Sequence, residues 1–420
     1  MESKKRSLFL AGDAMITQPW SHIDDPCFLR LVKEMRRADI TILNLETLIH
    51  EYRGYAQLDS GGAYMASPPA IAPELKWAGV DMVSHANNHA FDYGSEGIME
   101  THSNMVAADI VIAGSGKDLQ AARAPRYFLH GDTTVALISM TASFVPYGVA
   151  SPSRPDLHGR PGVNPLEVRK NVELTLTPRL AGALYKIMKR VSRYPERYGR
   201  PVFRVHGIGF SSGKTNNIFI RRRIRHRDFG ENLASIEQAV QSADWAVVSI
   251  HSHQTGPWLR KFCHAALGAG ADVVFIHGPH EIRGIELHAG RPIFHGMGNF
   301  VYQTDQIERL PAEAYERIGL NQGTTIEEFH VGGRRFPMQR SRKPYEAFAA
   351  VLNYSDGGLK QIRLLPVDLQ FDAAYRIRGR PQYAEPEFGR RIIAEVSKLS
   401  SRFGTRIEYD SEMNQGLVVI

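Results

Sequence analysis

Cysteine is almost absent from this chain: Cys27 and Cys263 are the only two in 420 residues. Two thiols build neither a disulfide framework nor a cysteine metal site, and they fit a reducing compartment. Long apolar runs are missing too. No stretch reaches the roughly 20 apolar residues that a bilayer-spanning helix needs. The segment 1–6 is polar, and the apolar run after it is shorter than a signal peptide's core. The expectation is a cytoplasmic protein with no membrane span. A strong charge imbalance is also lacking: 51 Lys and Arg against 44 Asp and Glu leave a net +7. That permits an anionic partner without requiring one. The basic run from Arg221 to Arg227 is short and has no interleaved aromatics, which argues against nucleic acid. Two nucleotide-binding motifs are incomplete. Gly114-Ser-Gly116 lacks its third glycine, since position 119 is Leu, and reads as a turn before a helix. Ser212-Gly-Lys-Thr215 lacks the first glycine of a phosphate loop, because Ile208 stands there, and a strand rather than a helix follows it.

What is present is an ordinary globular composition, 43% hydrophobic and 23% charged, arranged as alternating strands and helices. Strands are expected at Ser7–Met15, Asp39–Glu46, Val80–Ser84, Asp109–Ala113 and Thr134–Met140. Helices are expected at Phe28–Arg37, Pro73–Ala78, Gly94–Ala107 and Leu119–Arg123. The spacing predicts a layered α/β domain. It breaks over 146–230, a segment rich in Pro, Arg and Gly with one amphipathic helix at Thr177–Ser192. It resumes with a helix at Glu231–Ser242, strands at Trp245–Ile250, Val273–Ile276 and Arg291–Phe294, and a helix at Lys261–Gly270. A hairpin of Glu346–Asn353 and Gly358–Val367 follows, then a helix at Phe388–Leu399 and one short strand. The expected organisation is one domain over 1–375, a basic insertion at 146–230, and an extension at 376–420.

The chemistry gathers where strands are expected to end, the usual place for sites on α/β sheets. His85, Asn87, Asn88, His89 and Asp92 fall within eight residues after the Val80–Ser84 strand. Asp13 closes the first strand. Asn44 and Glu46 are two apart, so they point to one side of an extended chain. Five of the seventeen histidines, His251, His253, His277, His280 and His295, follow strands in one stretch. The metal-ligand candidates are Asp13, Glu46, Asn88, His251, His277 and His280. Oxygen and imidazole ligands without thiolate suit Mn²⁺, Fe²⁺ or Zn²⁺, and six are too many for one tetrahedral zinc. A pair of such ions is a device for hydrolysing phosphate esters, and it polarises an amide carbonyl equally well. The basic residues Arg221, Arg222 and Arg223 read either as a solvated edge strand or as a grip on an acidic substrate.

The motif series Gly12-Asp-Ala-Met15, Asn44-Leu-Glu46, Asn87-Asn-His-Ala-Phe-Asp-Tyr-Gly94, His277-Gly-Pro-His280 and Arg291-Pro-Ile-Phe-His-Gly-Met-Gly-Asn-Phe300 resembles CapA-type proteins. These are capsule (poly-γ-glutamate) synthesis proteins of the calcineurin-like metallophosphoesterase superfamily. The resemblance covers about 7–145 and 230–370. It implies a four-layer α/β/β/α sandwich with two divalent ions at the strand ends. Asp13 and His280 would hold one ion with Glu46 bridging, and Asn88, His251 and His277 the other. His89 would be the catalytic acid, oriented by Asp92. Asn44, His85, His253, His295, Asn299 and the three arginines would support the site or the substrate. Met15 departs from the His usual in metallophosphoesterases, and Ser-His-Gln follows His251 where CapA-type chains often have Trp-Gly and an acid. The implied activity is hydrolysis of a phosphoester or other anionic small molecule, peptide or polymer. The alternatives are an accessory protein that binds poly-γ-glutamate or a similar polyanion, and a metal-dependent amide-bond enzyme.

Overall fold

A computed structural model describes residues 6–60, 62–191, 196–197, 203–205, 208–317, 319–321, 323–325, 328, 340–355 and 358–420. The polar residues 1–5, Ser192 at the expected helix end, and the tip of the expected hairpin at 356–357 lie outside them.

The fold is mixed α/β, with two large sheets. The first runs Ile407–Asp410, Gln415–Val418, Gly358–Asp368, Glu346–Ser355, Arg6–Met15, Ile40–Leu45, Met82–Ser84, Val111–Ala113. Its last four strands are parallel. Asn299–Tyr302 joins the far end of Arg6–Met15, with Asn299 opposite Asp13. The second sheet runs Ile285–His288, Arg291–Phe294, Val273–His277, Trp245–His251, Thr133–Thr141, Arg126–His130, and its four inner strands are parallel.

Strand alternation explains the layering. Leu8 and Leu10 enter a core shared by both sheets, with Ile42, Val135, Val247 and Phe275. Phe9 and Ala11 point the other way, against Phe28, Leu31, Val32 and Met35 of the helix Pro26–Arg37. In the second sheet Val248 and Val274 pack outward on Ile236 and Phe262 of the helices His226–Ser242 and Pro257–Gly268. A strand buried on both faces must be apolar throughout, which is why these segments read as continuous runs rather than alternations. Each such side chain contributes about 1.5–3 kcal/mol by burial. Local signals agree: Asp25 accepts hydrogen bonds from the Cys27 and Phe28 amides, Pro26 opens the helix, and Arg36 and Arg37 sit at its negative end.

Three features differ from the sequence reading. The edge strands Arg126–His130 and Ile285–His288 went unread; the first has only a three-residue apolar run, Tyr127-Phe-Leu129, and is largely exposed. The final short strand is a hairpin, Ile407–Asp410 with Gln415–Val418, which pairs onto Gly358–Asp368 and extends the first sheet. Ser115–Gly116, expected within a turn, pairs with Gly162–Val163. Inside 146–230 the described residues form a separate five-stranded sheet, with Asn217–Ile224 at its edge and the helix Pro178–Val191 beside it. Among the described residues no helix is long and apolar enough to cross a membrane.

Candidate metal centre

The parallel strands of both sheets end at one place, so their last residues and following loops converge. Gly12 makes this approach feasible. A Cβ there would sit 2.0 Å from the Gly298 carbonyl oxygen, so only glycine lets the first strand pass the 296–299 loop. Gly278 has the second special role. At φ +108° its amide donates to Asp13 Oδ2 at 2.9 Å, and a side chain would strike the His251 ring. His280 also lies in the left-handed region, at φ +55°, a conformation that a non-glycine residue keeps only when its surroundings enforce it.

Asp13 is the centre of the cluster. Asn44 donates to its Oδ1 at 2.8 Å. His277 Nδ1 is 3.3 Å from Oδ1, His280 Nδ1 is 3.3 Å from Oδ2, and His251 Nδ1 is 3.9 Å from Oδ1. Glu46 lies 3.5 Å from His251 Nε2 and 3.9 Å from His280 Nε2. The His251 and His277 Nδ1 atoms are 3.0 Å apart, and His253 Nε2 reaches His251 Nε2 at 3.2 Å. Three overlapping groups are close enough to share an ion: Asp13 with His251 and His277, Asp13 with Glu46 and His280, and Glu46 with His251 and His253. His253 is the exposed member and marks the open side.

The electrostatics are those of carboxyls and imidazoles buried together. Burial would raise the Asp13 carboxyl, but the His277 and His280 imidazoles against it hold it well below its ordinary value. Burial, reinforced by the neighbouring Asp13 charge, pushes Glu46 well above its own. Burial likewise drives His251 far down, and His253, also facing His280, down to about 4. Among the described residues both Glu46 oxygens are buried and accept no hydrogen bond. Leaving a buried carboxylate unpaired is expensive. A divalent cation among these oxygens and neutral imidazoles would remove that cost, so the donor set fits a metal.

Other expected residues fall in distinct places. Asn299 accepts from His280 Nδ1 at 2.7 Å through its Oδ1 and donates from its Nδ2 to the Pro344 carbonyl at 2.8 Å. As a carbonyl oxygen, that Oδ1 can only accept, so His280 carries a proton on Nδ1 whenever this contact holds and offers Nε2 toward Glu46. Asn87 donates to the Leu45 carbonyl and to Asn44 Oδ1. Asn88 is buried in the same turn. His89 Nδ1 is 2.7 Å from Asp92 Oδ2, which also accepts from the Met65 amide at 2.8 Å. His85 is not in these groups. It meets Ser115 Oγ at 2.8 Å, with His102 on the other side of that hydroxyl, and burial pushes it down to about 3. His295 contacts Glu286 at 3.0 Å and stacks on Phe403. Arg221, Arg222 and Arg223 are exposed on the edge strand and line a depression with Thr255, Gly256, Pro257 and Trp258.

Sequence reasoning missed Ser84, Ser139 and Ser249, whose hydroxyls form a buried chain ending on His277 Nε2. The visible signal was a serine in each of three largely apolar strands.

Residues 7–304 match the family described as bacterial capsule synthesis protein PGA_cap. Two uncharacterized proteins of Sinorhizobium fredii are 30% identical over 97% of this chain and 92% of their own length. A probable polyglutamine synthesis accessory protein of Mycobacterium tuberculosis is 24% identical over 90% of this chain and 76% of its own. The capsule biosynthesis protein CapA of Bacillus anthracis is 20% identical over 72% of this chain and 61% of its own. With the motifs of the match spread over most of its length, this chain belongs to the CapA family of bacterial capsule synthesis proteins.

Proposed function

We propose that this protein is a metal-dependent hydrolase of the CapA and metallophosphoesterase type, acting on a phosphoester or another anionic substrate with two divalent ions, Mn²⁺, Fe²⁺ or Zn²⁺. One observation carries this reading: Glu46, buried and unpartnered, faces His251 and His280 beside Asp13. The two facing sheets with helices on their outer sides support a four-layer α/β/β/α sandwich interrupted by the 146–230 insertion. When bound, the ions would neutralise the anionic group and activate water. Asp13, Glu46, Asn88, His251, His277 and His280 would hold them.

The chain's own part is to orient and to move a proton. Asp92 takes the Met65 amide and faces His89 Nδ1, so it keeps the Nδ1 proton in place and leaves His89 Nε2 for a leaving oxygen. His253, the exposed member of its group, would meet substrate. The test is metal analysis by plasma mass spectrometry on untagged protein, beside Asp13→Ala and His277→Ala. About two equivalents, lost in the variants, support the reading and direct a screen to phosphoesters first and amides second. A metal-free, folded protein overturns it.

A second reading has its own observation. Arg221–Arg223 are exposed beside the loop that follows His253, which favours a polyanion-binding accessory role. Binding that survives Asp13→Ala but fails when these arginines are neutralised, and weakens steeply with salt, would favour this reading.

A further inference from the structure

We infer that Ser249, through a buried hydroxyl chain, selects the tautomer of His277 that turns its Nδ1 lone pair toward Asp13. This rests on the metal-centre reading and assigns a positioning residue to it.

His277 has two contacts to share between one proton and one lone pair. Its Nε2 is 2.7 Å from Ser249 Oγ. Its Nδ1 is 3.3 Å from Asp13 Oδ1 and 3.0 Å from His251 Nδ1. If the proton sat on Nδ1, it would bond Asp13, and Nε2 would need a hydrogen from Ser249. A serine hydroxyl has a single hydrogen. That of Ser249 is directed to Ser84 Oγ at 2.8 Å. Ser84 therefore accepts there, and its hydroxyl meets Ser139 Oγ at 2.7 Å. With the Ser249 hydrogen committed, the 2.7 Å contact works only with Nε2–H as donor. Nδ1 is then bare and aimed at the carboxylate, as a metal ligand must be.

The chain is built across the molecule. Ser139 and Ser249 are register partners in the second sheet, and Ser84 comes from the first. Ser84, Ser249 and His277 are essentially inaccessible, and Ser139 nearly so, so water does not compete for these positions. Mutual satisfaction of buried hydroxyls would by itself account for the serines. It would not, however, require a fixed direction of donation, and the direction is what the inference concerns.

The test reads the tautomer first, then the metal. In metal-stripped wild type with ¹⁵N-labelled histidine, long-range ¹H–¹⁵N correlation should show His277 protonated on Nε2. In Ser249→Ala the pattern should move toward Nδ1–H, and affinity for Mn²⁺ or Zn²⁺ should fall about 10- to 100-fold. Ser249→Thr keeps the hydroxyl and should restore both. Ser139→Ala leaves the Ser249 contact intact and gives a milder shift if Ser249→Ala does not fold. An Nδ1-protonated His277 in wild type, or an unchanged tautomer and affinity in Ser249→Ala, overturns the inference. Wild type that binds no Mn²⁺, Fe²⁺ or Zn²⁺ sinks the metal-centre reading instead, while the tautomer measurement still decides the role of Ser249.

Discussion

Two buried glutamates in this fold sit among histidines and have opposite fates. Glu46 lies between His251 and His280, with no hydrogen bond to either oxygen among the described residues. Glu286 accepts a forked pair from Arg260, with contacts of 2.8 to 3.2 Å, and meets His264 at 2.7 Å and His295 at 3.0 Å. Burial would raise both carboxyls. At Glu286 the hydrogen bonds of Arg260, His295 and His264 override it and bring the value down to about 2. At Glu46 the Asp13 charge adds to burial, and the value rises. His264, Glu286 and His288 are also close enough to share an ion, so proximity does not separate the two places. What separates them is whether the counter-charge is already present in the chain. A carboxylate supplied with its own arginine is a clamp; one left without a partner is built for a charge from outside.

The sharpest way to break this comparison is to remove one carboxylate from the open cluster. Asp13→Ala should lower metal affinity by more than the roughly 10- to 100-fold expected for an outer partner, as read by metal titration. Glu286→Gln should leave metal affinity unchanged. Equal losses would mean that the two clusters are one functional unit. Next in size is His89→Ala. It should keep the metal and lose about 10²- to 10⁴-fold in rate on whichever phosphoester the screen identifies, the usual worth of a positioned acid. A retained rate removes His89 from the mechanism.

Stability should invert between the sites. In metal-free protein Glu46→Gln removes a buried carboxyl whose ionisation nothing compensates, so urea unfolding should show no loss, or a gain. Glu286→Gln breaks charge-assisted hydrogen bonds and should cost roughly 2–3 kcal/mol. If both variants lose stability alike, Glu46 has a partner that the comparison lacks.

The same contrast shows what was legible in the sequence. The strand ends carrying Asp13, Glu46, His251 and His277 were readable, because each follows an apolar run that had to be buried. The two functions of histidine were not. His280 and His295 both follow strands of the second sheet in similar Gly-rich loops, yet one faces Asp13 and the other Glu286. The deciding partner, Glu286, lies on the Ile285–His288 edge strand, which is too short and mixed to give a periodic signal. His85 failed for a related reason. Its neighbour Asn87 donates to Asn44, while it meets Ser115, a residue in a two-residue strand that sequence read as a turn. The arginines Arg221–Arg223 were readable both ways, and the edge-strand reading describes their exposure. Charge runs announce themselves; what they face does not.

The smallest effect concerns acid. Glu286 has a depressed value in the folded protein, about 2, against about 4.3 for an unperturbed glutamate. Its stabilisation is therefore complete above the unfolded value and is lost as pH falls from about 4.3 toward 2. Because Arg260 is half exposed, solvent screens the pair, and the loss should be on the order of 1–2 kcal/mol. Urea midpoints at pH 5 and pH 3 would measure it. Glu286→Gln should flatten that acid limb. Glu46→Gln should not flatten it: a carboxyl raised by burial already holds its proton in the folded state, while the unfolded glutamate takes one up near pH 4.3, so its contribution has the opposite sign and its removal leaves the limb as steep or steeper. An acid limb that persists in Glu286→Gln would assign the loss to other carboxylates and reduce Glu286 from a charged clamp to a packed side chain.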